Sequence, residues 1–167
     1  MRTLRTSRLA ALPLRPENFQ EILLLFQDPQ VTEYIGGVRD ENFARRWLRW
    51  QLAQWRVDGF GTWVFRDPAD NSFVGTCRFH RARQLGIDEM TAFGYLLRPQ
   101  FWHMGLATEM ARGTIRIDLA RHSLGNVAAL IHPRNTRSKR VATRLGFHFE
   151  RSITWGSEPN MLYRLQC

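Results

Sequence analysis

Apolar positions along the chain change period several times, and each change predicts an element. Leu9 to Leu14 reads as a short strand closed by Pro13 and Pro16, and Phe19, Ile22, Leu23 and Phe26 then follow helical spacing until Asp28-Pro29. A second helix is expected from Asp40 to Trp55, carrying Phe43, Trp47, Leu48, Trp50 and Leu52. Trp63 to Phe65 and Phe73 to Phe79 bracket Asp67-Pro68-Ala69-Asp70-Asn71, the punctuation of a hairpin. A polar loop over 81–89 leads into a strand from Thr91 to Leu97. The helix after it, from about Gly105 to Arg121, sets Leu106, Met110, Thr114 and Ile117 on one face and closes by Gly125. Asn126 to His132 is the next strand, and the intervening helix makes it parallel to its predecessor. A short helix from Thr136 to Leu145, a strand from Phe147 to Trp155, a turn from Gly156 to Asn160 and a strand from Met161 to Leu165 follow. The expected fold class is α/β (α+β), with a mixed, mostly antiparallel sheet of six or seven strands and helices on both faces.

Composition narrows the function classes. With 167 residues and 44% hydrophobic content, one domain over residues 1–167 is expected. Met1 to Arg8 is too polar for a secretory h-region and no run of about eighteen apolar residues occurs, so the expected compartment is the cytoplasm, without a membrane span. The net charge of +9 is spread from Arg2 to Arg164, with no basic run longer than two residues and Lys139 the only lysine. A nucleic-acid footprint would concentrate that charge, so nucleic acid is not the expected partner; an anionic cofactor suits the same field. Cys77 and Cys167 make neither a disulfide framework nor a metal set, and Cys77 reads as a small core residue. His80, His122, His132 and His148 lack metal-ligand spacing, so no metal is expected.

The chemistry concentrates in Tyr95-Leu96-Leu97-Arg98-Pro99 followed by Trp102-His103-Met104-Gly105-Leu106-Ala107-Thr108-Glu109, which reads as strand, bend, glycine loop and helix start. A helix N-terminus presents unpaired N–H groups and about half a unit of positive charge, so it holds an anion. A Walker loop would place Lys and then Ser or Thr after the glycine, where Leu106 stands here, and a Rossmann turn would need three glycines where one is present. About thirty residues further on, Asn135-Thr136-Arg137-Ser138 leads into Val141-Ala142-Thr143-Arg144-Leu145-Gly146-Phe147.

W-x-x-G-x-A at Trp102 to Ala107, followed at this separation by N-x-x-S and L-G-F, resembles the GNAT superfamily of acyl-CoA-dependent N-acyltransferases. Further matches at Ser7 to Pro16, Asp28 to Ile35, Val74-Gly75 and Phe93-Gly94-Tyr95 extend the resemblance over nearly the whole chain. They look like the branch that holds the ribosomal-protein N-terminal acetyltransferases. The resemblance implies a central parallel strand pair that splays apart, after a bulge near Leu97-Arg98, to admit the pantetheine arm of acetyl-CoA. Tyr95, Leu96 and Leu97 would then meet that arm through backbone, and Met104, Gly105, Leu106, Ala107 and Thr108 would hold the pyrophosphate. Asn135 would hydrogen-bond the pantetheine.

The implied reaction is direct attack of a primary amine on the thioester, the acceptor being a protein N-terminus or a small-molecule amine. Ser138 would protonate the departing thiolate; as residue chemistry alone, it can equally cap the helix that follows. Many relatives carry a Glu near the position of Thr91 or Ala92, neither of which takes a proton at neutral pH. Asp88, Glu89 and Glu158 are the carboxylates near the expected site, Glu158 standing in the last hairpin. His103 and Met104 replace a glycine and a basic residue usual in the family loop. A left-handed backbone at 103 would be strained. Tyr34, Trp47, Trp50, Trp55 and Trp63 carry two readings, core packing or an aromatic wall for the acceptor. An idle acyl-CoA sensor is the alternative function, and a homodimer is the fold-level analogy.

Overall fold

The computed structural model describes residues 2–81, 90–122, 124–155 and 158–165. Eight strands form one sheet: β1 (Leu4–Arg5), β2 (Ala10–Pro13), β3 (Thr62–Arg66), β4 (Phe73–Arg81), β5 (Met90–Leu97), β6 (Asn126–Ile131), β7 (Phe147–Trp155) and β8 (Glu158–Leu165), in the order β1-β2-β3-β4-β5-β6-β8-β7. Only β5 and β6 are parallel neighbours; every other described pair is antiparallel. The sheet thus has the expected mixed character with one strand more than the upper expectation. The addition is β1, where Leu4 pairs with Ala11 and Arg5 with Ala10.

Five helices, α1 (Phe19–Gln27), α2 (Pro29–Thr32), α3 (Glu41–Val57), α4 (Leu106–Arg121) and α5 (Thr136–Arg144), divide between the two faces. Asp28-Pro29 both stops α1 and starts α2, because the Asp28 carboxylate accepts from the N–H groups of Gln30 at 2.8 Å and Val31 at 3.3 Å while Pro29 occupies the first turn. Asp40 caps α3 in the same way, accepting from Phe43 N at 2.7 Å. On one face Leu14, Ile22, Leu25, Phe26, Trp47, Leu48, Val64 and Phe73 bury together with partial cover from Leu96. On the other, α4 and α5 cover Trp63, Phe65, Cys77, Phe79, Phe93, Leu97, Val127 and Phe147. Cys77 is fully buried and its thiol is pushed up to about 12 by that burial, so it behaves as a core residue.

The buried stripe of α4 runs Leu106, Met110, Thr114 and, one turn on, Asp118, a carboxyl only 1% exposed. Trp63 Nε1 donates to its Oδ2 at 3.2 Å, but burial outweighs that bond and the Arg121 and Arg2 charges and raises its pKa to about 6. The folded protein therefore binds a proton that the unfolded chain releases near pH 4, and stability falls as pH rises from about 4 through 6. Asp118→Asn keeps an acceptor for Trp63 and removes the titration. Urea unfolding at pH 4.5 and pH 8 should show wild-type stability falling relative to the variant's by about 2–3 kcal/mol between the two. A constant difference would mean that Asp118 does not titrate in this window.

Candidate functional site

The β5–β6 ladder is short. Met90 faces Asn126, Thr91 faces Val127 and Ala92 faces Ala128, and beyond Ala92 the pairing ends, although β5 continues to Leu97 and β6 to Ile131. Each strand keeps its outer neighbour: β4 tracks β5 as far as Gly75 opposite Leu97, and β8 tracks β6 as far as Met161 opposite Ile131. The sheet therefore opens between two otherwise regular strands, leaving facing edges whose N–H and C=O groups need partners. No register shift interrupts β4–β5, so the bulge expected near Leu97-Arg98 is not on that ladder. The shifts occur at Phe65/Arg66 and Phe149/Arg151.

The strand ends in a tight turn. Arg98 N reaches Val74 O at 3.0 Å, a single turn of 3-10 helix runs from Pro99 to Phe101, and Trp102 Nε1 donates to Leu97 O at 2.8 Å. Gly105 then starts α4 with φ 75 and no side-chain cap, leaving the first-turn N–H groups of Leu106, Ala107 and Thr108 directed past the glycine. His103 adopts φ 62, the strained alternative for this position, at a cost of about 1–2 kcal/mol relative to glycine.

A cation stands beside this loop that the sequence pattern did not single out. Arg8 Nη1 donates to Met104 O at 3.0 Å, and Nη2 would lie 3.7 Å from a Cβ at Gly105. Glu109 holds it there, accepting from Arg8 Nε at 2.7 Å, Arg8 N at 2.8 Å and Thr6 Oγ1 at 2.6 Å. Burial opposes ionisation of Glu109, but these hydrogen bonds and the Arg8 charge prevail and lower its pKa. Gly113, where a Cβ would sit 2.8 Å from Thr6 Cγ2, lets the N-terminal segment lie against α4. A cavity of about 590 Å³ opens there, lined in part by Arg5, Arg8, Arg112, Arg116, Gly105 and Thr108. Arg8 at the uncapped helix start, with Arg5, Arg112 and Arg116 lining the cavity further along α4, makes a surface that suits a polyanion.

On the far side of the gap, α5 begins with Asn135, whose Oδ1 accepts from Ser138 N at 3.0 Å. Asn135 is therefore the cap, which corrects the capping reading of Ser138. The Ser138 hydroxyl lies 3.2 Å from the Tyr95 hydroxyl, across from β5. Burial raises the pKa of Tyr95, against the opposing hydrogen bond from Ser138, so the phenol stays protonated at neutral pH. The two hydroxyls form a chain able to pass a proton toward the gap.

The remaining candidates are more dispersed. Glu158 opens β8 opposite Trp155 and is exposed; the alternation of β8 sets it on the face of Asn160 and Leu162, away from α4 and α5. Asp88 and Glu89 lie outside the described residues. Thr91 and Ala92 are buried at the point where the gap begins. Trp63 is a core residue with the partly buried Trp55 packed edge-on against it, whereas Trp47 and Trp50 meet Arg78 and His80, and Tyr34 stacks on His132 at 5.3 Å. Among the described residues no group of three or more His, Cys, Asp or Glu could hold a metal ion, and no helix is long and apolar enough to cross a membrane.

Comparison with known proteins agrees with this arrangement. Residues 8–148 match the model of the acetyltransferase (GNAT) domain. YkkB of Bacillus subtilis, an uncharacterized protein, is 31% identical over 140 residues, covering 84% of this chain and 81% of its own. An acetyltransferase from Agrobacterium tumefaciens has a TM-score of 0.87 at 22% identity, covering 100% of this chain and 95% of that one. An acetyltransferase of Salmonella typhimurium, which modifies the N-terminal serine of ribosomal protein L7/L12, has a TM-score of 0.79 at 13% identity over 98% of both chains. The chain is an acyltransferase and belongs to the GNAT acetyltransferase family.

Proposed function

We propose that the protein transfers an acetyl group from acetyl-CoA to a primary amine by direct attack in a ternary complex. The observation that carries this reading is the opening between β5 and β6 after Ala92, which ends beside the uncapped start of α4. Pantetheine amides bridge the edge of β5 along Tyr95, Leu96 and Leu97, in the manner of an added strand, apart from Leu97 O, which Trp102 Nε1 already occupies. The pyrophosphate rests on the N–H groups of Met104, Gly105, Leu106, Ala107 and Thr108, and Arg8 supplies the positive charge that Met104 lacks. Asn135 has its Oδ1 engaged by Ser138 N, so its amide nitrogen is the donor left for the pantetheine.

In the reaction the amine nitrogen bonds to the thioester carbonyl carbon, the C–S bond breaks, and the sulfur leaves with the bonding pair. The Ser138 hydroxyl gives its proton to that sulfur and regains one from Tyr95 or solvent; a thiol of pKa ~8.5 needs only this modest assistance. The amine loses its proton to water, with the exposed Glu158 at the start of β8 as the candidate carboxylate to assist. The products are the amide and free CoA thiol. The idle-sensor alternative is not favoured, since the hydroxyl pair that such a module would not need is in place.

The test is release of CoA thiol from acetyl-CoA across a panel of N-terminal peptides, polyamines, amino acids and aminoglycosides. Turnover with at least one amine is expected, with kcat/KM rising toward that amine's own pKa. Glu158→Gln should change the rate by less than about tenfold; a loss of a hundredfold or more together with the acidic limb would make Glu158 the general base. If CoA binds but no amine of the panel elicits thiol release, the enzymatic reading is overturned.

A further inference from the structure

The face of the sheet opposite α4 and α5 carries a row of three residues set side by side: Thr62 on β3, Arg78 on β4 and Gly94 on β5, each the register partner of the next. Side chains alternate along a strand, so Gly94 shares the face of Leu96, which packs in the α1–α3 core, while Phe93 and Leu97 face α4. Helix α3 covers two of the three positions. Gln51 reaches Thr62 through its Oε1, and the Trp47 ring lies 5.1 Å from the Arg78 guanidinium carbon. Over Gly94 a Cβ would meet nothing within 4 Å. That space adjoins the stretch of β5 that has already parted from β6.

Among the described residues the half-buried Arg78 has no counter-charge. Its Nε is buried without a partner, and none of the ion pairs among the described residues includes it. His80 Nδ1, Gln51 Nε2 and Gln54 Oε1 are likewise buried and unpaired in the same layer between α3 and the sheet. Buried polar atoms are nearly always satisfied, so a guanidinium whose Nε is buried without a partner invites an acceptor at its half-buried end. Burial lowers the Arg78 pKa to about 10, which leaves it charged at neutral pH. His80, packed edge-on against Trp50, is driven by burial and by the Arg78 charge down to about 3, so it is neutral and adds no second cation. Among the described residues the layer therefore offers one guanidinium, whose single positive charge balances one carboxylate but only half of a phosphate dianion.

We propose that the space over Gly94 receives the acceptor, and that the acceptor is an amine bearing a carboxylate that pairs with Arg78. This rests on the acetyltransferase reading and narrows its substrate class. The amine nitrogen would face the gap where β5 leaves β6, and the carboxylate would lie one strand away, toward β4. Peptide N-termini and polyamines lack a carboxylate at that reach and would leave Arg78 unpaired.

The experiment is a matched acceptor panel at saturating acetyl-CoA: amino acids with their C-terminal amides, β-alanine, 4-aminobutyrate, spermidine and phosphoethanolamine. The best acceptor is expected to carry a carboxylate and to exceed its amide by at least about fiftyfold in kcat/KM. In Arg78→Gln that preference should collapse to within about threefold, mainly through KM, while calorimetry shows wild-type affinity for CoA. Arg78→Lys should recover part of it. Equal use of acid and amide by wild type, or a preference for spermidine or phosphoethanolamine, overturns the proposal without touching the acetyltransferase reading. The wild-type ratio needs no variant, so a failure of Arg78→Gln to fold does not rescue it. If no amine is acetylated, calorimetry of the CoA-loaded protein with N-acetyl amino acids and their amides decides: binding confined to the acids supports the carboxylate site, and equal or absent binding overturns it.

Discussion

Gly105→Asp should weaken CoA binding by at least about a hundredfold, which at 1.4 kcal/mol per decade is a loss of about 3 kcal/mol or more. Two effects add. The backbone at 105 has φ 75, where any side chain is strained, although Asp tolerates it better than most residues. The larger effect is electrostatic, since a carboxylate would sit at the helix start where the pyrophosphate charge is proposed to lie, with Arg8 its nearest cation. Gly105→Asn separates the two, because it takes the left-handed conformation about as well and adds no charge; its loss should stay within about tenfold. Calorimetry on folded variants measures both. Wild-type CoA affinity in the Asp variant would move the phosphate site off this loop and leave the four-arginine cavity without its proposed ligand.

What could be read along the chain was local. The helices α1, α3, α4 and α5 and the β3–β4 hairpin follow from apolar spacing and turn residues a few positions apart, and the loop from Leu97 to Leu106 is a continuous segment whose Pro99 and Gly105 announce the bend and the helix start. Strand β1 escaped because Leu4-Arg5 is two residues long and has no period to detect. It is held from far along the chain, by pairing with β2, by Glu109 and by the close approach that Gly113 permits. Asp28-Pro29 signals a stop in any sequence reading, and its second role as the start of α2 shows only in the two N–H groups that Asp28 collects.

The same distinction sorts the site. Tyr95, Gly105, Asn135 and Ser138 belong to motifs and could be named in advance, yet that the Tyr95 and Ser138 hydroxyls meet depends on how α5 packs beside β5. Arg8 is one arginine among many until Glu109, 101 residues away, fixes it at the loop. Arg78 and Gly94 become neighbours only through cross-strand register, which a shift of one residue would turn to the other face. Electrostatic features of this kind are set by tertiary neighbours and leave no periodic trace in the sequence.

Ser138→Ala should lower kcat by about ten- to a thousandfold with little change in CoA affinity, the range expected for losing one positioned proton donor. The structure makes this variant a clean probe. The cap at the start of α5 uses the backbone N–H of Ser138 and the side chain of Asn135, both of which survive the substitution. Only the contact with the Tyr95 hydroxyl is lost, a neutral hydrogen bond worth about 1 kcal/mol. Stability and turnover should therefore part company: a small change in Tm with a large fall in kcat. Asn135→Ala supplies the contrast, since losing the cap should cost about 1 kcal/mol of stability. If Ser138 relays a proton drawn from the buried phenol, Tyr95→Phe should reproduce part of the kcat loss and combine with Ser138→Ala less than additively, as neighbours in one network do. A folded Ser138→Ala protein with kcat within about threefold of wild type would remove the serine from the reaction and leave solvent as the source of the thiol proton.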